Sequence, residues 1–315
     1  MSADGDRVVV DVGGLPEQRQ VAQLLARLRR AHAVADHIDP HSSIERVPTA
    51  AELASAFREA DRAVTAGSAA VGTCGYGLVW SWVEDDGTQL HLLDVWAVPG
   101  PDRHHVEARL FDHLETAVRA QVPRTGQTVL GANCRATEPG RLELLTARGF
   151  SPVFDMVEME APSVPLPAPS LPPGVTTRCV VPNDAAGIAD LTARVWAGRA
   201  FFVMPTLQTV QGWLTRADPE LYLLAVDETG AVVGLASATL SPRCAEIDDV
   251  QVDPNWQRRG LASALLTELA ARLARRTTLP VRLHTEGHDP AGARSLYERL
   301  GYTVTATHHR LRKPL

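Results

Sequence analysis

The order of predicted strands and helices in this chain occurs twice, once on each side of a proline-rich segment. Each half has a strand, two helices, antiparallel strands that lead into a long helix, and a closing strand–helix–strand unit. Val98, in the strand before the long helix, corresponds to Val252. Gly149, after the last helix, corresponds to Gly301. Internal similarity of this kind indicates duplication of one α/β unit.

The two halves are separated by a change in composition. Residues 161–174 read APSVPLPAPSLPPG. Proline donates no backbone hydrogen bond and favours an extended chain, so this run is expected to be a semi-rigid linker. We therefore predict one domain over residues 1–160 and a second over residues 175–315.

Composition and charge exclude several classes of protein. The chain is 45% hydrophobic and 22% charged, and its net charge of −6 gives no general attraction to nucleic acid or to a membrane surface. The four cysteines are far apart and form no CxxC pair, which is typical of reduced thiols. The chain has no signal-peptide pattern and no apolar run of about 18 residues or more. We expect a cytoplasmic protein with no membrane span and no nucleic-acid partner, and the sequence leaves its oligomeric state open.

Residues 247–266, IDDVQVDPNWQRRGLASALL, predict a strand, a polar turn and a helix. The first amide groups of a helix have no partner within the helix, and its dipole favours negative charge there. Gly260, at the start of the predicted helix, allows close approach to the backbone. The stretch therefore predicts a binding site for a phosphate-bearing ligand.

Only the second half keeps this pattern. Arg103 and Val106 occupy the positions that correspond to Gln257 and Gly260. A valine places a side chain where a phosphate would approach the backbone. We therefore expect one working site, in the C-terminal half, with the N-terminal half as a structural or substrate-shaping partner.

These motifs resemble the GNAT superfamily of acyl-CoA N-acyltransferases. The resemblance rests on a strand, a [Q/R]xxGx[G/A] turn and a later LY…GY element, carried here by Val250, Val252, Pro254, Gln257, Arg258, Arg259, Gly260, Leu261, Ala262, Asp289, Leu296, Tyr297, Gly301 and Tyr302. The tandem arrangement is similar to that of two-domain acyltransferases of the mycothiol synthase type. The resemblance implies an α/β fold of two GNAT-like domains, each a mixed, mostly antiparallel sheet flanked by helices. It also implies a degenerate first domain and a catalytic second domain.

The resemblance also implies roles for individual residues, with acetyl-CoA as the co-substrate. The pantetheine arm is expected along Val250, Gln251 and Val252. The pyrophosphate is expected at the amides of Gln257, Arg258, Arg259, Gly260, Leu261 and Ala262. Asp289 stands where relatives often carry a pantetheine-binding Asn, and capping of a helix is its alternative role. Tyr297 is expected to be the general acid that protonates the departing thiolate.

The strand before the turn carries the candidate base. Because side chains alternate along a strand, residues 246, 248, 250 and 252 are predicted to share one face. Glu246 is the favoured base or amine anchor, and Asp248 and Asp249 are alternatives. An unperturbed carboxylate, with a pKa of about 4, is a poor base unless burial raises that value or a water relays the proton. A solvated strand face remains the simpler interpretation of these acids.

No metal site is expected. His284 and His288 are four residues apart, but their predicted strand end and loop give no helical face to join them.

The expected function is transfer of an acetyl group from acetyl-CoA to a primary amine of a small molecule. No cysteine lies in the motif, so we expect direct attack in a ternary complex. Two alternatives are an acyl or aminoacyl transferase with a carrier-protein or tRNA donor, and a non-catalytic CoA-binding sensor. The negative net charge argues against tRNA. The presence of Tyr297 with the strand carboxylates argues against a sensor.

Overall fold

The computed structural model describes residues 11–13, 18–34, 36–44, 47–68, 72–121, 127–162, 170–288 and 292–315. It divides into two compact units. Unit 1 comprises Met1–Pro40, Glu45–Asp155 and His308–Leu315, and unit 2 comprises His41–Ile44 and Met156–Thr307.

Unit 1 is one sheet with helices against it. Its elements are β1 (Asp11–Gly13), α1 (Gln18–His32), α2 (Ala50–Glu59), β2 (Arg62–Ser68), β3 (Gly72–Val83), β4 (Gln89–Ala97), α3 (Arg103–Gln121), β5 (Thr128–Arg135), α4 (Pro139–Ala147) and the start of β6 (Ser151–Glu160). The strand order is β1-β2-β3-β4-β5, and only the β4–β5 pair is parallel.

Unit 2 has the same plan. It holds the end of β6, followed by β7 (Val175–Cys179), α5 (Ala185–Trp196), α6 (Leu207–Arg216), β8 (Tyr222–Asp227), β9 (Val232–Leu240), β10 (Ala245–Val252), α7 (Leu261–Ala274), β11 (Val281–Glu286), α8 (Ala293–Arg299) and the start of β12 (Thr303–Pro314). The strand order is β7-β8-β9-β10-β11-β6, and only β10–β11 is parallel. Both units thus have the mixed, mostly antiparallel sheet flanked by helices that the sequence predicts.

The edge strand of each unit comes from the other half of the sequence. Residues 308–314 of β12 pair with β5 in unit 1, and residues 156–160 of β6 pair with β11 in unit 2. The compact units therefore do not follow the expected boundaries at residues 160 and 175. Strand pairing sets this division, and a local change in composition carries no information about strand pairing.

Local signals account for several element boundaries. A capping box begins α2: Glu52 N donates to Thr49 Oγ1, and Thr49 N donates to Glu52 Oε2. The helix ends at Glu59, and β2 begins at Arg62. Asp184 does not cap α5 with its side chain; its carboxylate accepts hydrogen bonds from Val181 N and Arg178.

Unit 2 has one core cluster that includes α7 and a second that includes α5 and α6. Leu265 and Leu269 of α7 are fully buried against Ala236 of β9 and Leu283 of β11. This packing fixes the start of α7 beside the end of β10. Among the helices within the described ranges, none is both long and apolar enough to cross a membrane.

Candidate functional site

Two neighbouring strands of unit 2, β10 and β11, pair over only part of their length. Their parallel pairing ends at Ile247 opposite Leu283. Within the described ranges no further pairing joins them, although β10 continues to Val252 and β11 to Glu286. The backbone of β10 beyond Ile247 therefore faces a gap on this side, and a strand-like ligand can pair with it there.

A β-bulge at Asp248 determines which side chains of β10 share a face. The register with β9 steps from Ile247 to Asp249 and leaves Asp248 without an opposite residue. The extra residue places Asp249 on the same face as Glu246. The predicted alternation of residues 246, 248, 250 and 252 is therefore wrong beyond the bulge, because Val250 packs with Ile247 against the apolar core.

The two aspartates at the bulge lie in different surroundings. Asp248 accepts a hydrogen bond of 2.7 Å from Thr239 Oγ1, and loss of hydration together with the Glu246 charge raises its pKa. Asp249 accepts a 2.6 Å hydrogen bond from Gln251 Nε2. Enclosure by protein raises the pKa of Asp249 to about 7, even though the Gln251 amide stabilises its charged form.

Glu246 contacts a histidine on the neighbouring strand. Its Oε1 lies 3.3 Å from His284 Nδ1, and the two side chains are 31% and 24% exposed. Sequence reasoning considered His284 only as a metal ligand. His284 lies two residues after Arg282 on β11, and Arg282 is the residue opposite Glu246 in the parallel pairing of β10 with β11.

On its other side His284 meets a buried carboxylate and a serine. His284 Nε2 lies 2.7 Å from Ser43 Oγ and 3.7 Å from Glu158 Oε1. Glu158 is fully buried and accepts 2.8 Å and 3.1 Å hydrogen bonds from Ser43 N and Arg282 Nη1. Burial alone would raise the pKa of Glu158, but the nearby His284 ring, the hydrogen bond from Ser43 N and the Arg282 charge hold it at about 2. No sequence signal points to Ser43, which lies far away along the chain.

The polar turn after β10 is held by side chains from both of its ends. Asp253 accepts hydrogen bonds from Asn255 N and, at 2.6 Å, from Arg194 Nε of α5. Gln257 Nε2 donates to Val252 O, which folds its side chain back onto the end of β10. The Arg259 guanidinium lies 5.0 Å from the centroid of the Trp256 ring.

The start of α7 has the geometry of an anion site. Gly260 has φ +83° and a Cβ added to it would meet nothing within 4 Å, so this backbone is open to an incoming group. Arg258 also has a left-handed backbone, with φ +62°. The α-helix begins at Leu261, so the next amides, including that of Ala262, lack i−4 partners inside the helix. Gln257, Arg258, Arg259 and Gly260 are all exposed here.

The predicted general acid lies in the same core region. Tyr297 is buried on α8, in the cluster that contains Val252 and Leu261, and its ring centroid is 5.7 Å from that of Tyr302. Asp289, expected to contact the ligand or to cap α8, lies outside the described residues. Gln251 is buried, and its side chain is engaged by Asp249 and by Thr192, so only its backbone faces the gap.

The corresponding region of unit 1 is closed. There α3 begins at Arg103, so the residues aligned with 257–260 form its first helical turn. Arg103 forms ion pairs of 2.8 Å with Asp36 and 3.1 Å with Glu138. Val106 is buried in the core and does not obstruct a ligand directly, contrary to the sequence argument. The earlier start of α3 removes the open turn.

The described residues include no group of three or more His, Cys, Asp or Glu side chains placed to hold a metal ion. The cysteines Cys74, Cys134, Cys179 and Cys244 are free thiols.

Comparison with known proteins agrees with this geometry. Residues 189–302 match the Acetyltransferase (GNAT) family. A mycothiol acetyltransferase of Paenarthrobacter aurescens (strain TC1) is 28% identical over 239 residues, which cover 70% of this chain and 69% of that protein. A mycothiol acetyltransferase of Salinispora arenicola (strain CNS-205) is 33% identical over 209 residues, which cover 62% of this chain and 65% of that protein. Part of each relative's length is therefore outside the match.

Two solved structures share the fold over nearly the whole chain. A GCN5-related N-acetyltransferase from Sphaerobacter thermophilus superposes with a TM-score of 0.76 at 24% identity, covering 97% of this chain and 95% of that one. A tandem GNAT protein from the clavulanic acid biosynthesis pathway superposes with a TM-score of 0.72 at 14% identity, covering 97% and 98%. At these identities the likeness shows the fold alone.

Proposed function

We propose that this chain is a tandem GNAT acetyltransferase and that unit 2 transfers an acetyl group from acetyl-CoA to a primary amine of a small molecule. The observation that carries the proposal is the gap between β10 and β11, which opens beside the start of α7. A pantetheine arm can pair with the backbone of residues 250–252, and the amides at residues 257–262 can receive the pyrophosphate. Arg258 and Arg259 supply positive charge next to that position.

The chemistry that we propose is direct attack by the amine on the thioester. Glu246 takes the proton of the amine, a backbone amide near Val250 stabilises the oxyanion, and Tyr297 donates a proton to the departing thiolate. A covalent route through cysteine is disfavoured at Cys244, the cysteine adjacent to β10. That thiol is buried, and burial raises its pKa.

The relatives suggest the first acceptor to test. Both are mycothiol acetyltransferases by name. We therefore take the free-amine form of mycothiol as the first candidate acceptor, followed by a panel of small primary amines.

The proposal is tested by binding and by turnover of the full-length chain. We expect calorimetry to show binding of acetyl-CoA, and mass spectrometry to show an acetyl-CoA-dependent gain of one acetyl group on an amine. Tyr297→Phe should lower kcat by about 100-fold while the affinity for acetyl-CoA stays unchanged, because the hydroxyl acts only on the leaving group. No binding of acetyl-CoA would refute the proposal. Tight binding without turnover of any amine would favour the CoA-sensor alternative.

A further inference from the structure

We infer that His284 works with Glu246 as a two-residue base: Glu246 takes the proton of the bound ammonium and passes it to His284 Nδ1. This inference rests on the proposed function and adds a residue to its mechanism. It starts from the 3.3 Å contact between Glu246 Oε1 and His284 Nδ1, which lies on the face of β10 next to the gap.

The hydrogen bonds of Ser43 determine which ring nitrogen of His284 carries the resting proton. Glu158 is ionised, with a pKa of about 2, so its oxygens only accept hydrogen bonds. Ser43 Oγ lies 3.2 Å from Glu158 Oε1 and 2.7 Å from His284 Nε2. Donation by Ser43 to the carboxylate together with acceptance from Nε2 satisfies both contacts, and on that ground we assign the Nε2–H tautomer. Nδ1 is then the nitrogen left to take a proton from Glu246.

The proton balance of the step is simple. The N–H bond of the bound ammonium breaks, and an O–H bond forms on Glu246. That O–H bond then breaks as the N–H bond of His284 Nδ1 forms, which leaves a neutral amine, a carboxylate and an imidazolium. The imidazolium returns its proton to solvent, since the His284 side chain is 24% exposed.

Charges on both neighbouring strands and on β11 itself face His284. Glu246 and Asp248 lie on β10, Glu158 lies on β6, and Arg282 lies on β11 and pairs with Glu158 at 3.1 Å. Three carboxyl groups therefore surround the ring, and Arg282 offsets only the innermost.

The test is chemical rescue in the full-length protein. With the free-amine form of mycothiol, or with the panel amine that gives the highest wild-type turnover, His284→Ala should lower kcat by about 100-fold without changing the KM for acetyl-CoA. Added imidazole should restore a large part of the loss, because the residue is partly open to solvent. Glu246→Gln combined with His284→Ala should be no slower than Glu246→Gln alone, since the two residues act as one unit.

His309 provides a matched control. Its Nδ1 lies 2.7 Å from Asp155 Oδ1 in unit 1, and its side chain is 22% exposed, so it is a histidine–carboxylate pair away from the proposed site. His309→Ala should leave kcat unchanged and should not respond to imidazole. His284→Asn keeps a hydrogen-bond donor beside Glu246 but no basic nitrogen, so it should fold normally and lose the same activity as His284→Ala.

A kcat for His284→Ala within twofold of wild type, or a loss that imidazole does not restore, would overturn the inference. A second measurement does not depend on turnover: nitrogen-15 NMR of the wild-type ring should show the Nε2–H tautomer, with His284→Asn used for assignment. An Nδ1–H tautomer would contradict the proton route, whatever the amine. If wild type acetylates no amine, the proposed function fails, and this NMR result still decides the arrangement at His284.

Discussion

At the scale of single residues, ionisation of the Asp249 carboxyl group opposes folding. Its pKa of about 7 lies well above the ordinary 3.8, mainly because enclosure by protein removes hydration. Below pH 3.8 the group is neutral in both the folded and the unfolded chain. As the pH rises toward 7, only the unfolded chain ionises freely, so the folded state loses stability. We predict that Asp249→Asn raises the free energy of unfolding by a few kcal/mol more at pH 8 than at pH 4.5.

Urea denaturation at the two pH values measures this difference. Asp227→Asn is the opposite case, because hydrogen bonds from Thr229 and Ala231 lower the pKa of Asp227. That substitution should destabilise the protein more at pH 8 than at low pH. An equal effect of Asp249→Asn at both pH values would show that its carboxyl group is ordinarily hydrated.

Individual residues also show which local features the sequence predicts and which it does not. The Thr49–Glu52 capping box was predictable because both partners lie within one helical turn. The bulge at Asp248 was not, because no glycine or proline marks it and a one-residue register step is set by pairing with β9. Ser43 was also beyond prediction, since only the folded chain brings it to His284.

At the scale of elements, the start of α7 combines a strained backbone with an open surface. Gly260 has φ +83° with open space around it, and Gly230, in the β8–β9 turn, has the same φ and the same open space. An alanine at either position costs about 1 kcal/mol or more, because a Cβ disfavours the left-handed conformation. We predict that Gly260→Ala and Gly230→Ala lower the melting temperature alike, whereas only Gly260→Ala weakens acetyl-CoA binding, by tenfold or more.

Calorimetry on the two variants separates the destabilisation caused by a Cβ at a left-handed residue from the loss of acetyl-CoA affinity. Equal acetyl-CoA affinities in the two variants would place the pyrophosphate elsewhere. The two halves could be aligned at this element from the sequence, but the earlier start of α3 was not predicted: α3 begins at Arg103, whereas α7 begins only after the turn, at Leu261.

At the scale of the whole molecule, residues 308–314 complete the sheet of unit 1. They pair with β5 from Arg135 to Val129, and two of their side chains neutralise buried acids of that unit. Lys313 Nζ lies 2.7 Å from Glu115, and Arg312 contacts Glu84. We predict that deleting residues 308–315 destabilises unit 1, because the edge of β5 is exposed, Glu84 loses Arg312, and Glu115 keeps Arg119 and Arg148 but loses Lys313.

Hydrogen exchange measured by mass spectrometry locates the effect. Amides of Thr128–Arg135 should exchange faster in the deletion variant by tenfold or more, while those of β8 and β9 keep their protection. Removal of Leu315 alone is the control: it loses only the hydrogen bond from Leu315 N to Thr128 O at the end of β5, so residues 129–135 and the strands β8 and β9 should keep their protection. Protection of β5 in the deletion variant equal to that of wild type would show that unit 1 does not need this strand. The linker composition indicates where the two halves of the sequence meet, but strand exchange is a long-range pairing that composition does not encode.

The placement of residues 308–314 has a consequence for synthesis on the ribosome. The residues of β5 emerge early, yet the strand that pairs with them is translated after the other strands of both units. Unit 1 must therefore wait, with one sheet edge unpaired, until residues 308–314 have left the exit tunnel. A nascent chain stalled before residue 308 is thus expected to be the species most exposed to chaperones and to aggregation.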